Sequence, residues 1–128
     1  MGDSHIVSCA TTATAPVVQG AWLAPGTHVD LVGAFKRNMR EVDDAAVARS
    51  RIYVDTYAGA LAEAADIIEP IERGLIARHD VRGELAELVT GAVPGRSDAG
   101  EITLFKSVGT AIEDLAAARL LVGPQLAG

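Results

Sequence analysis

Apolar positions along this chain gather into short β-rich runs set between polar turns and stretches of helical spacing. The first run is Ile6-Val7-Ser8-Cys9-Ala10. The polar group Thr11-Thr12-Ala13-Thr14 and then Pro16 follow it, and proline cannot donate to a central strand ladder. The run therefore predicts a short buried strand that ends in a loop. A second strand, Val29-Asp30-Leu31-Val32-Gly33, follows a turn at Pro25-Gly26. A third, Arg51-Ile52-Tyr53-Val54-Asp55, follows a stretch of helical character over residues 41–48. Alternation of apolar strands with helical connections predicts an α/β layer with parallel strands rather than a meander.

Beyond Asp55 the pattern turns helical, with Leu61, Ala64, Ala65 and Ile68 on one face and Glu63 and Asp66 off it, until Pro70 interrupts or kinks the helix. Residues 83–89 suggest another short helix. The clearest loop is Gly91-Ala92-Val93-Pro94-Gly95-Arg96-Ser97-Asp98, the best candidate for a domain boundary. Past it, Ile102-Thr103-Leu104-Phe105 can form a strand. Val108, Ala111, Ile112, Leu115, Ala118 and Val122 make an apolar stripe for a terminal helix.

Composition narrows the function classes. The chain has 128 residues, 49% of them hydrophobic, which is enough for one small buried core. A formal charge of -6 argues against nucleic acid or an anionic membrane as main partner, since both need a basic face. Cys9 is the single cysteine, which forbids an intrachain disulfide or a thiolate zinc cluster and suits a reducing cytoplasm. His5, His28 and His79 are isolated, without the spacing of metal ligands. No run approaches the roughly 20 apolar residues that span a bilayer, and the start lacks the features of a secretory signal.

Four segments in order resemble the ornithine cyclodeaminase and mu-crystallin family, which includes cyclodeaminases, pyrroline-2-carboxylate and other ketimine reductases, and some alanine dehydrogenases. They are Ile6-Val7-Ser8-Cys9-Ala10-Thr11-Thr12, the stretch from Trp22 through Pro25-Gly26 to Val32-Gly33-Ala34, Arg40-Glu41-Val42-Asp43, and Glu101-Ile102-Thr103-Leu104-Phe105-Lys106-Ser107-Val108-Gly109. The acidic pair Glu113-Asp114 follows on the last helix. The resemblance covers essentially the whole chain and the later, smaller part of a family member. It implies an α/β fold: the second half of a Rossmann-like parallel sheet over residues 1–95, and over residues 96–128 a strand and helix that return to a substrate and dimerisation domain. The family's glycine-rich pyrophosphate turn is expected upstream, and no Gly-x-Gly-x-x-Gly pattern occurs here.

The resemblance also implies a cofactor site for NAD(P)H. Ala10, Thr11 and Thr12 are brought forward as contacts near the nicotinamide, with Val32 at the end of the second strand and Ser107 after the penultimate one. The plainer alternative is that the threonines terminate a strand and satisfy its last backbone groups. Lys106 is expected near the site entrance or a domain junction, against the common fate of a solvated surface lysine. Asp43-Asp44 reads as favourable charge at a helix start, and Glu41 as structural. Position 35 separates activities: the cyclodeaminases carry an aspartate after this Gly-Ala pair, and Phe35 cannot relay a proton. A reductase is less demanding, because a protonated cyclic imine already carries the charge that draws hydride and the cofactor supplies it.

Two functions of different class follow. One is a nicotinamide-dependent reductase of cyclic imines, realised in a longer chain; the other is a non-catalytic remnant or binding module. Catalytic and substrate-contacting residues are not assigned. The strand over residues 6–10 has nothing before it to pair with, and the terminal stripe has no partner, so self-association or a homodimer is expected.

Overall fold

A computed structural model describes residues 4–123. Five strands form one sheet: β1 (Ile6–Cys9), β2 (His28–Leu31), β3 (Ser50–Val54), β4 (Val81–Glu84) and β5 (Ile102–Lys106). The spatial order is β1-β2-β5-β3-β4, and every pairing is parallel. The strands expected near Ile6, Val29, Ile52 and Ile102 are all present. The strand read into the returning segment, β5, lies at the centre of the sheet between β2 and β3.

Register sorts the strand residues onto two unlike faces. Pairing of Val7 with Val29, Val29 with Leu104 and Leu104 with Ile52 puts these side chains in one row. Helices α1 (Asp44–Arg49), α2 (Tyr57–Glu63) and α3 (Ala65–Glu72) cover that face. Ala46, Val47, Ala60 and Ile67 join the strand residues in a single buried core. Each fully buried Val, Leu or Ile there contributes on the order of 1.5–3 kcal/mol of transfer free energy. The opposite face carries Ile6, Ser8, His28 and Asp30 on β1 and β2, and Ile6 is 68% exposed. Over β3 and β5 the same face is partly roofed by the loop after α4 (Leu85–Thr90), where Tyr53 Oη donates to the Pro94 carbonyl at 2.9 Å.

Local chemistry explains several boundaries. The helix anticipated over 41–48 begins only at Asp44, because Asp43 caps it by accepting from Ala46 N at 2.8 Å. The same Oδ1 accepts from Gly20 N at 2.8 Å. Gly20 packs so closely on α1 that a Cβ there would meet the backbone of Ala45 and Ala46. The helix expected over 83–89 is present as α4, starting at Leu85, while Gly83 and Glu84 end β4. The helix after Asp55 breaks at Ala64 into α2 and α3, and Pro70 sits inside α3. Asp66, expected off the apolar face, is completely buried. Helix α5 (Ala111–Val122) is exposed along its length, with Ile112, Leu115, Leu120, Leu121 and Val122 in solvent.

Candidate functional site at the carboxyl edge of the sheet

In a parallel sheet the strand ends all point one way, and the loops beyond their carboxyl ends lie side by side. The loop after β1 presents Ala10 and Thr12 at the surface and Thr11 half-buried. Beside it, beyond β2, Val32 is 51% and Phe35 41% exposed. The two loops are tied together by backbone bonds. Val32 N donates to Cys9 O at 2.8 Å, and Ala34 N donates to Thr11 O at 2.9 Å. Gly33 is required at this contact, since a Cβ would collide with the Thr11 backbone and with Glu41 Oε1. Ala34 adopts φ of +45°, a left-handed conformation unusual for a residue with a side chain.

Beneath these loops lies a group of buried charges. Lys106, the last residue of β5, is fully buried, and so are Glu41 and Asp66. The lysine Nζ donates to the Gly33 carbonyl and lies 3.8 Å from Glu41 Oε2 and 3.7 Å from Asp66 Oδ2. Glu41 Oε1 accepts from Thr11 N at 2.6 Å and from Thr11 Oγ1 at 2.9 Å. Asp66 Oδ1 accepts from Glu41 N at 2.9 Å and Val42 N at 3.2 Å. Burial pushes the Lys106 ammonium below its ordinary value, opposed by the charges of Asp66, Glu41 and Asp55. It pushes the Asp66 carboxyl up, opposed by the amides of Val42 and Glu41 and by Lys106 and Arg40. The Cys9 thiol is likewise raised, first by burial and then by Glu41, Asp66 and Asp30.

A second knot shapes the turn after β5. Asp55 Oδ2 accepts from Ser107 Oγ at 3.0 Å, Val108 N at 2.8 Å and Gly109 N at 2.9 Å. Its Oδ1 accepts from Thr56 N at 2.7 Å. Ser107 is thus buried with its hydroxyl committed to Asp55. Just beyond, Thr110 Oγ1 is shielded and has no hydrogen-bond partner among the described residues.

Ala10, Thr11, Thr12 and Val32 therefore come together, and Ser107 lies at the same edge of the sheet. Lys106 is not the solvated surface lysine that was its plainer alternative; two carboxylates and a carbonyl compensate its burial. Sequence reasoning missed Asp55 and Asp66. A single acid inside the apolar run Ala64-Ala65-Asp66-Ile67-Ile68 was the available signal for the second.

An open parallel sheet whose loops converge beyond adjacent carboxyl ends is the architecture of a nucleotide-cofactor-binding α/β domain. The sequence profile of the ornithine cyclodeaminase/mu-crystallin family matches residues 2–125, and the chain belongs to that family. It is 46% identical over 115 residues to the Delta(1)-pyrroline-2-carboxylate reductase of Paracoccus denitrificans, covering 90% of this chain and 36% of that protein. The Thermococcus litoralis Delta(1)-pyrroline-2-carboxylate reductase, solved in complex with NADH and L-proline, superposes with a TM-score of 0.89 at 47% identity. That match covers 93% of this chain and 37% of the other. An archaeal alanine dehydrogenase dimer with bound NAD gives a TM-score of 0.84 at 31% identity, over 91% of this chain and 36% of that one. The chain thus spans little more than a third of the length of these relatives.

Proposed function

We propose that this chain supplies the C-terminal part of an NAD(P)H-dependent reductase of small cyclic imines of the pyrroline-2-carboxylate type, acting in the cytoplasm. The observation that carries the reading is Phe35. It stands directly after Gly33-Ala34 at the edge where the two loops meet, at the position where the family's deaminases carry an aspartate.

The residues present suit the nicotinamide end of such a cofactor. Thr12 and Ala10 offer a small, partly polar surface and Val32 an exposed apolar one. Ser107 borders the same edge through the turn it makes with Asp55. When bound, the reduced cofactor supplies a hydride to the imine carbon. The chain's part is to orient and to exclude water. Thr11 is held by Glu41, which fixes how the first loop faces the ring. Phe35 places an apolar surface where a deaminase would place an acid, so neither water attack nor proton relay is assisted there. The imine nitrogen must then arrive protonated, and it keeps that proton in the amine product.

The residues that would hold a pyrophosphate on a glycine-rich turn are not in this sequence. The chain alone is therefore expected to show no turnover of Delta(1)-pyrroline-2-carboxylate with either nicotinamide cofactor. A chimera in which residues 1–128 replace the matched stretch of the Paracoccus denitrificans reductase should oxidise NADH or NADPH with that substrate. A folded chimera without turnover would reject the reductase reading in favour of a non-catalytic binding role. The exposed apolar residues of α5 further support homodimer formation, which light scattering of the purified chain would register as twice the monomer mass.

A further inference from the structure

Lys106, Glu41 and Asp66 are sealed beneath the carboxyl edge, where none of them can touch a ligand. We infer that they form a positioning unit that holds residues 10–12 and 32–34 in the shape that receives the nicotinamide end of the cofactor, an inference that rests on the cofactor reading above.

Three side chains so enclosed are a poor choice if stability alone is wanted. Apolar residues of similar volume often hold a core as well or better, because the desolvation of buried ions is only partly repaid by their attraction. What distinguishes these three is where their bonds go. Lys106 Nζ donates to the carbonyl of Gly33, in the second loop. Glu41 Oε1 takes both the amide and the hydroxyl of Thr11, in the first. Asp66 Oδ1 takes the amides of Glu41 and Val42, fixing the segment from which Glu41 reaches out. Nζ in turn lies within 4 Å of both carboxylates, so the anchors of the two loops share one counter-charge.

The loops could not otherwise be expected to keep this form. Ala34 holds φ of +45°, a left-handed conformation that is strained for a residue with a side chain. Gly33 is pressed against Thr11 so tightly that no side chain fits between. Releasing the Gly33 carbonyl or the Thr11 amide removes the groups that oppose this strain. Thr12 and Val32, which face solvent at the edge, would then lose their fixed spacing.

Amide hydrogen exchange and NADH titration, both followed by NMR on the chimera that joins residues 1–128 to the rest of the Paracoccus denitrificans reductase, separate this role from general stability. In wild type, NADH should shift the amides of Ala10, Thr11, Thr12, Val32 and Ser107. In Lys106→Met, exchange at Thr11 and Ala34 should rise about tenfold more than at Val54 and Val81, and the NADH dissociation constant should rise by about tenfold, the scale of one charge-assisted hydrogen bond. Glu41→Gln keeps an acceptor for Thr11 and should leave the dissociation constant within about threefold of wild type. If Lys106→Met does not fold, the pair Lys106→Gln with Asp66→Asn carries the same comparison with one buried charge removed from each side. Unchanged relative exchange at Thr11 and Ala34, or an unchanged dissociation constant, would overturn the positioning role. Absence of any NADH-dependent shift at these amides in the unsubstituted chimera would instead overturn the cofactor reading, while the exchange comparison would still decide whether the three residues hold the loops.

Discussion

Two regions of this sheet offer themselves to a ligand, and they are built in opposite ways. At the carboxyl edge the exposed surface is small, and nearly every backbone group beneath it is held by a buried charge or by the neighbouring loop. On the face opposite α1, α2 and α3, a cavity of about 320 Å³ lies between Tyr53, Leu85, Leu88, Arg96 and Phe105, lined largely by apolar side chains. By size and greasiness the second is the more obvious pocket. Its walls, however, belong to a face that parallel sheets ordinarily cover with further chain. A cavity can thus mark a surface waiting for packing, while the carboxyl edge stands out by how firmly its backbone is fixed.

The contrast can be broken most forcefully at Lys106. Lys106→Met leaves Glu41 and Asp66 enclosed without their cation and should cost about 3–5 kcal/mol. Urea unfolding followed by circular dichroism reads that loss directly, and a loss under about 1 kcal/mol would mean the carboxylates are already satisfied without the lysine.

Leu104→Ala, in the central strand on the covered face, should follow closely at about 2–5 kcal/mol. Ile6→Ala, on the open face, should fall within about 0.5 kcal/mol of wild type. Equal effects at the two positions would show that the open face is covered in solution.

On the groove side, Tyr53→Phe removes the bond to the Pro94 carbonyl and should cost about 1 kcal/mol without disturbing NADH shifts at the edge.

Asp66 gives the edge a pH signature. Its carboxyl is pushed up chiefly by burial, so between the ordinary value of 3.8 and the raised one the folded chain keeps a proton that the unfolded chain has released. Its contribution is fully present below the ordinary value and is lost as pH rises through the raised one. Asp66→Asn should therefore gain stability relative to wild type as pH climbs from about 4, visible in urea midpoints across that window. A constant difference between the two proteins would contradict the raised carboxyl.

The smallest effect concerns Glu101, just before β5. The amide and hydroxyl of Ser97, with Arg51, hold its carboxyl down to about 2. A depressed carboxyl stabilises above its ordinary range and loses that contribution as pH falls toward about 2. Ser97→Ala should raise the value in a side-chain NMR titration, and an unmoved titration would remove Ser97 as the cause.

Much of this arrangement was legible beforehand. Strands β1, β2, β3 and β5 announce themselves because buried parallel strands need runs such as Ile6-Val7 and Ile52-Tyr53-Val54. Their common edge then brings Thr11 and Val32 together without further information. Strand β4 escaped because Val81-Arg82-Gly83-Glu84 carries two charges and a glycine, and pairs only along β3 at the sheet's margin. Lys106 and Asp66 were misjudged for a related reason. Solvent exposure is the usual fate of a lone lysine or aspartate, and their compensation comes from residues 65 and 25 positions away in sequence, Glu41 in both cases. Such pairing is set by the tertiary fold and leaves no periodic trace.

The central claim is that the nicotinamide lies at the carboxyl edge and not in the apolar groove. Nuclear Overhauser contacts from the nicotinamide protons of NADH, measured on the chimera with the Paracoccus denitrificans reductase, test it most directly. They are expected to the methyl groups of Thr11, Thr12 and Val32. Contacts instead to Leu85, Leu88, Tyr53 or Phe105 would contradict it.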